Sequence, residues 1–347
     1  MPLENTIDMY TPRLMMRALD LVKVPKRFFH STFFNRTFTH TTKEVELDVR
    51  KSKRRVAVYV SPIQDGVVVE REGFETRVTK PAYVKEMTTL RPQELETRAF
   101  GENIYNPMSP AQRAAQTLGE DLAMLDERLV RREEIMCAEA VLTGKVNVRG
   151  KGINVQVDFG YVDGVNKVIP AISWGNSDAD PMRDMDTWRR NTVQRCGFLP
   201  NICIVGSEVA WAIINNPKLE ERLNIINFQM GRIAPGGGNL AEGIMYYGEI
   251  MLPTGVVPLY SYDEWYTDPV SGEDVPMFPA DTLLFGSTQV RSEFHYGLIQ
   301  NLRSLQAASR FAFSWEESNG SARYVQLESA PMPNLFEVDA FTVARVL

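Results

Sequence analysis

Histidine, cysteine and closely spaced carboxylates carry most protein chemistry near neutral pH, and this chain uses the first two sparingly. Its three histidines, His30, His40 and His295, belong to no H-E-x-x-H pattern, and its three cysteines, Cys137, Cys196 and Cys203, form no C-x-x-C pair. Zinc sites and activated thiols need such spacings, so no metal or cofactor is implied. Cys196 and Cys203 read as buried thiols, and the odd cysteine count points to reduced thiols in a cytoplasm-like compartment. Ser207 follows Gly206 outside a G-x-S-x-G frame and reads as a helix cap. Gly236-Gly237-Gly238 lacks the Lys-Ser/Thr of a phosphate cradle and follows no strand, so it reads as a mobile surface loop. Asp178, Asp180, Asp184 and Asp186 cluster near a helix start, where the dipole favours them; a divalent-ion site is the alternative.

The densest charge run is basic: Arg50, Lys51, Lys53, Arg54 and Arg55. It fits a solvated turn, a contact with an acidic surface of a neighbouring subunit, or a nucleic-acid contact. No aromatic platform is interleaved with these charges. The chain as a whole has 38 Lys and Arg against 44 Asp and Glu, net −6, which excludes a general grip on nucleic acid. Early acids at Glu4 and Asp8 leave no signal peptide, and no stretch reaches the roughly 18–20 apolar residues of a membrane span.

The elements that must position these residues centre on one helix. Ser109 to Leu142 reads as a single run of 34 residues, about 50 Å long. Ser109 is its N-cap, Pro110 suits the first turn, Gln112 completes a capping box and Gly144 marks the stop. Leu118, Leu122, Leu125, Leu129, Met136 and Ala140 form its apolar stripe; Glu120, Glu127, Arg131 and Glu134 lie off it. Arg132 interrupts the stripe, which favours a helix laid across a sheet over a coiled coil.

Before this helix the chain lacks the makings of a compact core. Thr11 to Val24 reads as a short helix, followed by Phe28, Phe29, Phe33, Phe34 and Phe38 among polar residues, packed on the chain's own core or on a neighbour. Extended runs follow at 45–50 and 56–60, and 67–69 with 74–84 reads as a returning hairpin limited at Pro81. That hairpin offers mainly Val67, Val69, Phe74 and Val78 for burial, and a lone two-stranded hairpin is marginal in water. Contact with a second subunit is the expectation for these four residues and for the basic tract. After the helix come a hairpin turning at Gly150-Lys151-Gly152 and, from about Asp180, a mixed α/β body. Its helices run from Pro181 to Gly197, from Ser207 to Ile214 and from Pro217 to about 226, with strands near 201–205, 244–252, 256–260 and 283–285. Asp268-Pro269 and Ser271-Gly272 mark an exposed turn, and strands near 310–315, 323–327 and 341–346 close the chain.

The order of an arm, a long hairpin, a beam helix and an α/β body resembles the Hong Kong 97-type viral capsid fold, an α+β class. Tyr59-Val60-Ser61-Pro62, Ala82-Tyr83-Val84-Lys85, Val141-Leu142-Thr143-Gly144-Lys145 and Val157-Asp158-Phe159-Gly160 are similar to segments of lambda-type bacteriophage major capsid proteins, the major capsid protein E family. So are Leu284-Phe285-Gly286-Ser287-Thr288-Gln289, Tyr296-Gly297 and Glu328-Ser329-Ala330-Pro331, in the same order from about residue 40 onward. The resemblance implies the major head protein of a tailed double-stranded DNA phage, assembled in the host cytoplasm as hexamers and pentamers into an icosahedral virion shell. It implies an N-terminal arm at 1–40, an extended loop at 41–105, a peripheral domain with its spine helix at 106–179, an axial domain at 180–302, and closing strands at 303–347 that return to the peripheral domain. It further implies a separate scaffolding protein, a portal at one vertex, a decoration protein in some relatives, and packaged DNA enclosed without sequence-specific binding. No Lys–Asn pair here matches the covalent cross-link of some relatives. The alternatives are a mixed α/β enzyme with a pocket after residue 180, and another phage structural or DNA-binding protein.

Overall fold

The phenylalanines near the N-terminus are buried in the chain's own core, and that placement organises the molecule. The computed structural model describes residues 9–22, 27–49, 56–57, 59–60, 63, 65, 68, 75–98, 102, 105, 108–218, 231–241, 243–304 and 307–347. Helix α1 (Pro12–Leu21) begins after Thr11 with Pro12 in its first turn and buries Met15 and Leu19. Helix α2 (Phe28–Phe33) buries Phe28, Phe29, His30 and Phe33, with Phe34 fully enclosed just after it. Strand β1 (Arg36–Thr39) follows, with Phe38 45% exposed. The sequence left own core and neighbour open for these aromatic residues, and four of the five pack at home.

Strands β2 (Val45–Val49) and β3 (Glu75–Thr79) pair antiparallel with Val45 opposite Thr79, forming a ribbon. The expected return through Val84 is corrected. Pro81 lies between β3 and β4 (Val84–Leu90), and β4 pairs with a strand near the C-terminus instead. Val56, Ala57, Tyr59 and Val60 lie outside any strand, contrary to the expected run. After the short helix α3 (Pro92–Glu96) comes α4 (Pro110–Thr143), whose bounds match the sequence reading closely. The Ser109 hydroxyl accepts the Gln112 N–H, the Gln112 side chain reaches back to the Ser109 N–H, and Gly144 is left-handed at φ 69°. Tyr161 packs over Gly144 so closely that a Cβ there would lie 2.2 Å from its ring. Only glycine meets both demands.

Beyond α4, β5 (Lys145–Gly150) and β6 (Ile153–Asp158) form the expected hairpin, and β7 (Lys167–Val168) is short. Helix α5 (Pro181–Cys196) has its N-cap at Asp180 and ends at left-handed Gly197. Next come β8 (Ile202–Val205), α6 (Ser207–Ile214), β9 (Gly231–Ala241), β10 (Ile244–Leu252) and β11 (Gly255–Tyr262). The triple glycine lies inside β9, with Gly237 opposite Tyr246, so the expected loop is a strand. The ribbon of β12 (Trp265–Thr267) and β13 (Asp274–Pro276) precedes β14 (Thr282–Gly286) and β15 (Ser292–Tyr296). Strands β16 (Phe311–Glu316), β17 (Arg323–Ser329), β18 (Pro331–Leu335) and β19 (Thr342–Arg345) close the chain.

Seven strands form the main sheet in the order β7-β19-β14-β8-β11-β10-β9. Strand β8 at its centre is buried at all four residues, and the strand period of two divides them between two apolar clusters. Ile202 and Ile204 join the cluster of α2 and the C-terminal half of α4, whereas Cys203 and Val205 join Met185, Trp188, Val209 and Ile213 of α5 and α6. A third cluster unites Met15 and Leu19 of α1, Leu118, Leu122 and Leu125 of α4, and Ala312, Val325 and Leu327 of the β16-β17-β4 sheet. Helix α4 therefore serves two cores, one at each end. The closing strands are divided: β16 and β17 lie beside α4, but β19 sits between β14 and β7 in the main sheet.

Candidate assembly interface

Between its two cores α4 carries a buried ionic layer. Glu133 accepts a hydrogen bond from the Tyr296 hydroxyl at 2.8 Å and from Arg27 Nη1 at 2.7 Å, and lies 3.4 Å from Arg310 Nη2. Arg310 Nη1 is 2.7 Å from Asp126 Oδ1. Glu134 accepts the backbone N–H groups of Phe29 at 2.6 Å and His30 at 3.1 Å, satisfying donors at the start of α2. Three buried carboxylates thus face two guanidinium groups. Burial raises the Asp126 and Glu133 carboxyls, against the pull of both arginines, and pushes Glu134 up to about 7. Glu134 had read as off the apolar stripe, on the polar side of the helix. It is enclosed because α2 covers that face, which no local pattern reveals.

Glu328 on β17 is a second node. It accepts the Tyr83 hydroxyl and the Gln326 amide at 2.6 Å each and the Asn301 amide at 3.3 Å, with Lys85 Nζ at 3.6 Å. This fixes the segment that follows the β2–β3 ribbon onto the body. The histidines serve the same end. His40 Nε2 and His295 Nδ1 are 2.9 Å apart across the parallel β1–β15 pair, with Glu293 and Arg291 alongside. Burial, with His40 adjacent, lowers His295 to about 4; burial, with Arg27 and Arg310 nearby, lowers His30 to about 4.

These shifts have opposite signs in stability. A histidine lowered in the folded state gives stability that is complete above about pH 6.5 and lost as pH falls toward 4. A carboxyl raised to about 7 gives stability that is complete below its ordinary 4.5 and lost as pH rises through 7. Relative to the unaltered protein, His295→Gln should therefore gain in urea midpoint on acidification from pH 7 to 4.5, and Glu134→Gln on raising pH from 5 to 8. Parallel midpoint curves for all three proteins would exclude these groups as the source.

The sequence-singled contact residues fare unevenly. Arg50, Lys51, Lys53, Arg54, Arg55, Val67, Val69 and Phe74 lie outside the described residues. Val78 is described: it sits on β3 opposite Glu46 and is 54% exposed. At the ribbon's foot Val45 is buried against Phe336. A groove of about 370 Å³ beside that foot was missed, lined by Val148, Ile153, Val155 and Leu298 with Lys43, Lys80 and Lys85. The alternation in β6 was its one visible signal.

The other chemical candidates are engaged in structure. Cys137 and Cys203 are buried and Cys196 half-buried, all as free thiols. Ser207 is corrected from cap to first helical residue: the cap is Gly206, where a Cβ would meet the Ala280 carbonyl oxygen at 2.3 Å. Asp180 caps α5, Asp184 accepts the Trp174 indole N–H at 3.0 Å, and Asp186 accepts the Thr254 N–H at 3.1 Å and pairs with Arg190 at 2.8 Å. Among the described residues no helix is long and apolar enough to cross a membrane.

Comparison with known proteins converges on one group. The major capsid protein of Enterobacteria phage P21 is 28% identical over 359 residues, covering 98% of this chain and 100% of that protein. The major capsid protein of Escherichia phage lambda is 26% identical over 351 residues, again covering 98% and 100%. A crystal structure of a prophage capsid-protein candidate from E. coli CFT073 superposes with a TM-score of 0.72 at 19% identity, over 97% of this chain and 99% of that one, which shows a shared fold. The family model described as phage major capsid protein E matches residues 11–346. With that match spanning all but its extreme ends, the chain belongs to the phage major capsid protein E family.

Proposed function

We propose that this phage major capsid protein self-assembles as hexamers and pentamers into an icosahedral shell around double-stranded DNA, with no catalytic role. The β2–β3 ribbon carries the reading. Among the described residues it pairs only within itself, its described buried side chains, Val45 and Thr79, are at its foot, and Val78 is open to solvent. An isolated ribbon is marginal in water, so a neighbouring subunit is its natural support. On this reading residues 1–40 are the arm, 41–105 the extended loop, 106–179 the peripheral domain built on α4, and 180–302 most of the axial domain. Residues 303–347 supply β16 and β17 to the peripheral side, and the basic tract at 50–55 meets acidic surface on a neighbour. A scaffolding protein, a portal at one vertex and in some shells a decoration protein are the further partners. The chain's net charge of −6 lets a shell enclose DNA without gripping phosphate.

Co-expression with the scaffolding protein should give closed shells in negative-stain images. Replacing residues 63–80 by a short Gly-Ser turn should leave thermal unfolding of the subunit nearly unchanged and abolish normal shells. A stable monomer under every assembly condition overturns the capsid role. An unfolded truncation would place the ribbon in the intramolecular core.

A further inference from the structure

We propose that the groove at the foot of the β2–β3 ribbon receives the tip of the β12–β13 ribbon from a second copy of this chain. The inference deepens the shell reading and rests on it. Groove and tip differ in charge and match in character. Val148 and Val155 are cross-strand partners in the β5–β6 hairpin, and Ile153 stands beside Val155 on the same face. Ile153 and Val155 line the apolar floor of the groove and stay 39% and 47% exposed. Among the described residues that line this floor, the charged side chains are lysines. Lys80 faces Glu44 at 2.9 Å and Lys85 faces Glu328 at 3.6 Å, while Lys43 has no carboxylate partner among the described residues. An apolar insert carrying carboxylates is the occupant such a groove fits.

The β12–β13 ribbon presents that insert. Val270 at its apex is 78% exposed, and Glu273 and Asp274 beside it are exposed and pair with no cation among the described residues. The tip is braced by its own hydrogen bonds. Asp268 accepts the Val270 N–H at 3.1 Å and the Ser271 hydroxyl at 3.2 Å, and the Gly272 N–H closes on the Asp268 carbonyl at 2.8 Å. Little conformational freedom remains to be lost on docking. Groove and tip are different patches of one chain, so their contact is head-to-tail, the type that closes into rings. Ring closure is what hexamers and pentamers require.

Paired cysteines test the contact directly. Particles bearing Val270→Cys with Ile153→Cys, and a second set with Val155→Cys in place of Ile153→Cys, would be oxidised with diamide and run on non-reducing denaturing gels. At least one pair should give a ladder of dimers and higher multimers that reductant collapses and that each single-cysteine variant lacks. Charge exchange supplies an independent reading. Lys43→Glu alone should cut particle yield about tenfold, and adding Glu273→Lys in the same chain should restore most of it. Normal particles that show neither ladder nor restoration overturn the docking and leave the shell reading intact. Unaltered protein that forms no shells or rings overturns both.

Discussion

Replacing Glu133 by alanine should cost the subunit about 3–5 kcal/mol, the usual penalty for stranding buried charges. The carboxylate is fully enclosed and answers Arg27, Arg310 and the Tyr296 hydroxyl together. Its loss leaves two guanidinium groups facing one another, with Asp126 the only partner left to Arg310 in the layer. Total stabilities are about 5–15 kcal/mol, so about a fifth or more of the folded state's margin would go. Glu133→Gln keeps an acceptor for Tyr296 and should fall between the two. Urea midpoints at pH 7 decide the matter. A loss below about 1 kcal/mol would mean that water reaches the layer and screens it.

Phe29→Ala should cost about 3–5 kcal/mol by a different route, loss of buried ring and the cavity left behind. Phe29 is fully buried, with ring centroids 5.5 Å from Tyr262, 6.2 Å from Phe278 and 6.2 Å from Phe33. The change should appear in the isolated subunit, as a lowered midpoint before any assembly. Phe38→Ala, on an exposed ring stacked over His295, should leave that midpoint nearly unmoved. Equal effects at both positions would contradict the core placement of α2.

What was legible in the sequence was whatever is set locally. The ends of α4 follow from Ser109, Pro110, Gln112 and Gly144, each acting within one helical turn. The hairpin turning at Lys151-Gly152 and the capped α5 are of the same kind. What failed depends on distant partners. Arg27, Tyr296 and Arg310 lie 106, 163 and 177 residues from Glu133, so nothing near Glu133 distinguishes it from a solvated acid. The triple glycine in β9 is held extended by β10, against its own propensity. The expected return to Val84 stops at Thr79, and β4, which begins at Val84, pairs with β17, encoded far downstream. The groove was invisible for the same reason, since its walls come from residues 43, 80–85, 148–155 and 297–300.

Because α4 belongs to both cores, neither core can loosen without stripping side chains from the same helix. Freedom is therefore left to the β2–β3 ribbon, whose described buried side chains, Val45 and Thr79, are at its foot. Strand twist varies over a wide range and is largest in two-stranded ribbons. Rings of five and of six demand different angles between identical neighbours. If the proposed shell is built of both rings, the body can remain one solid piece in each, and the β2–β3 ribbon absorbs the change of angle.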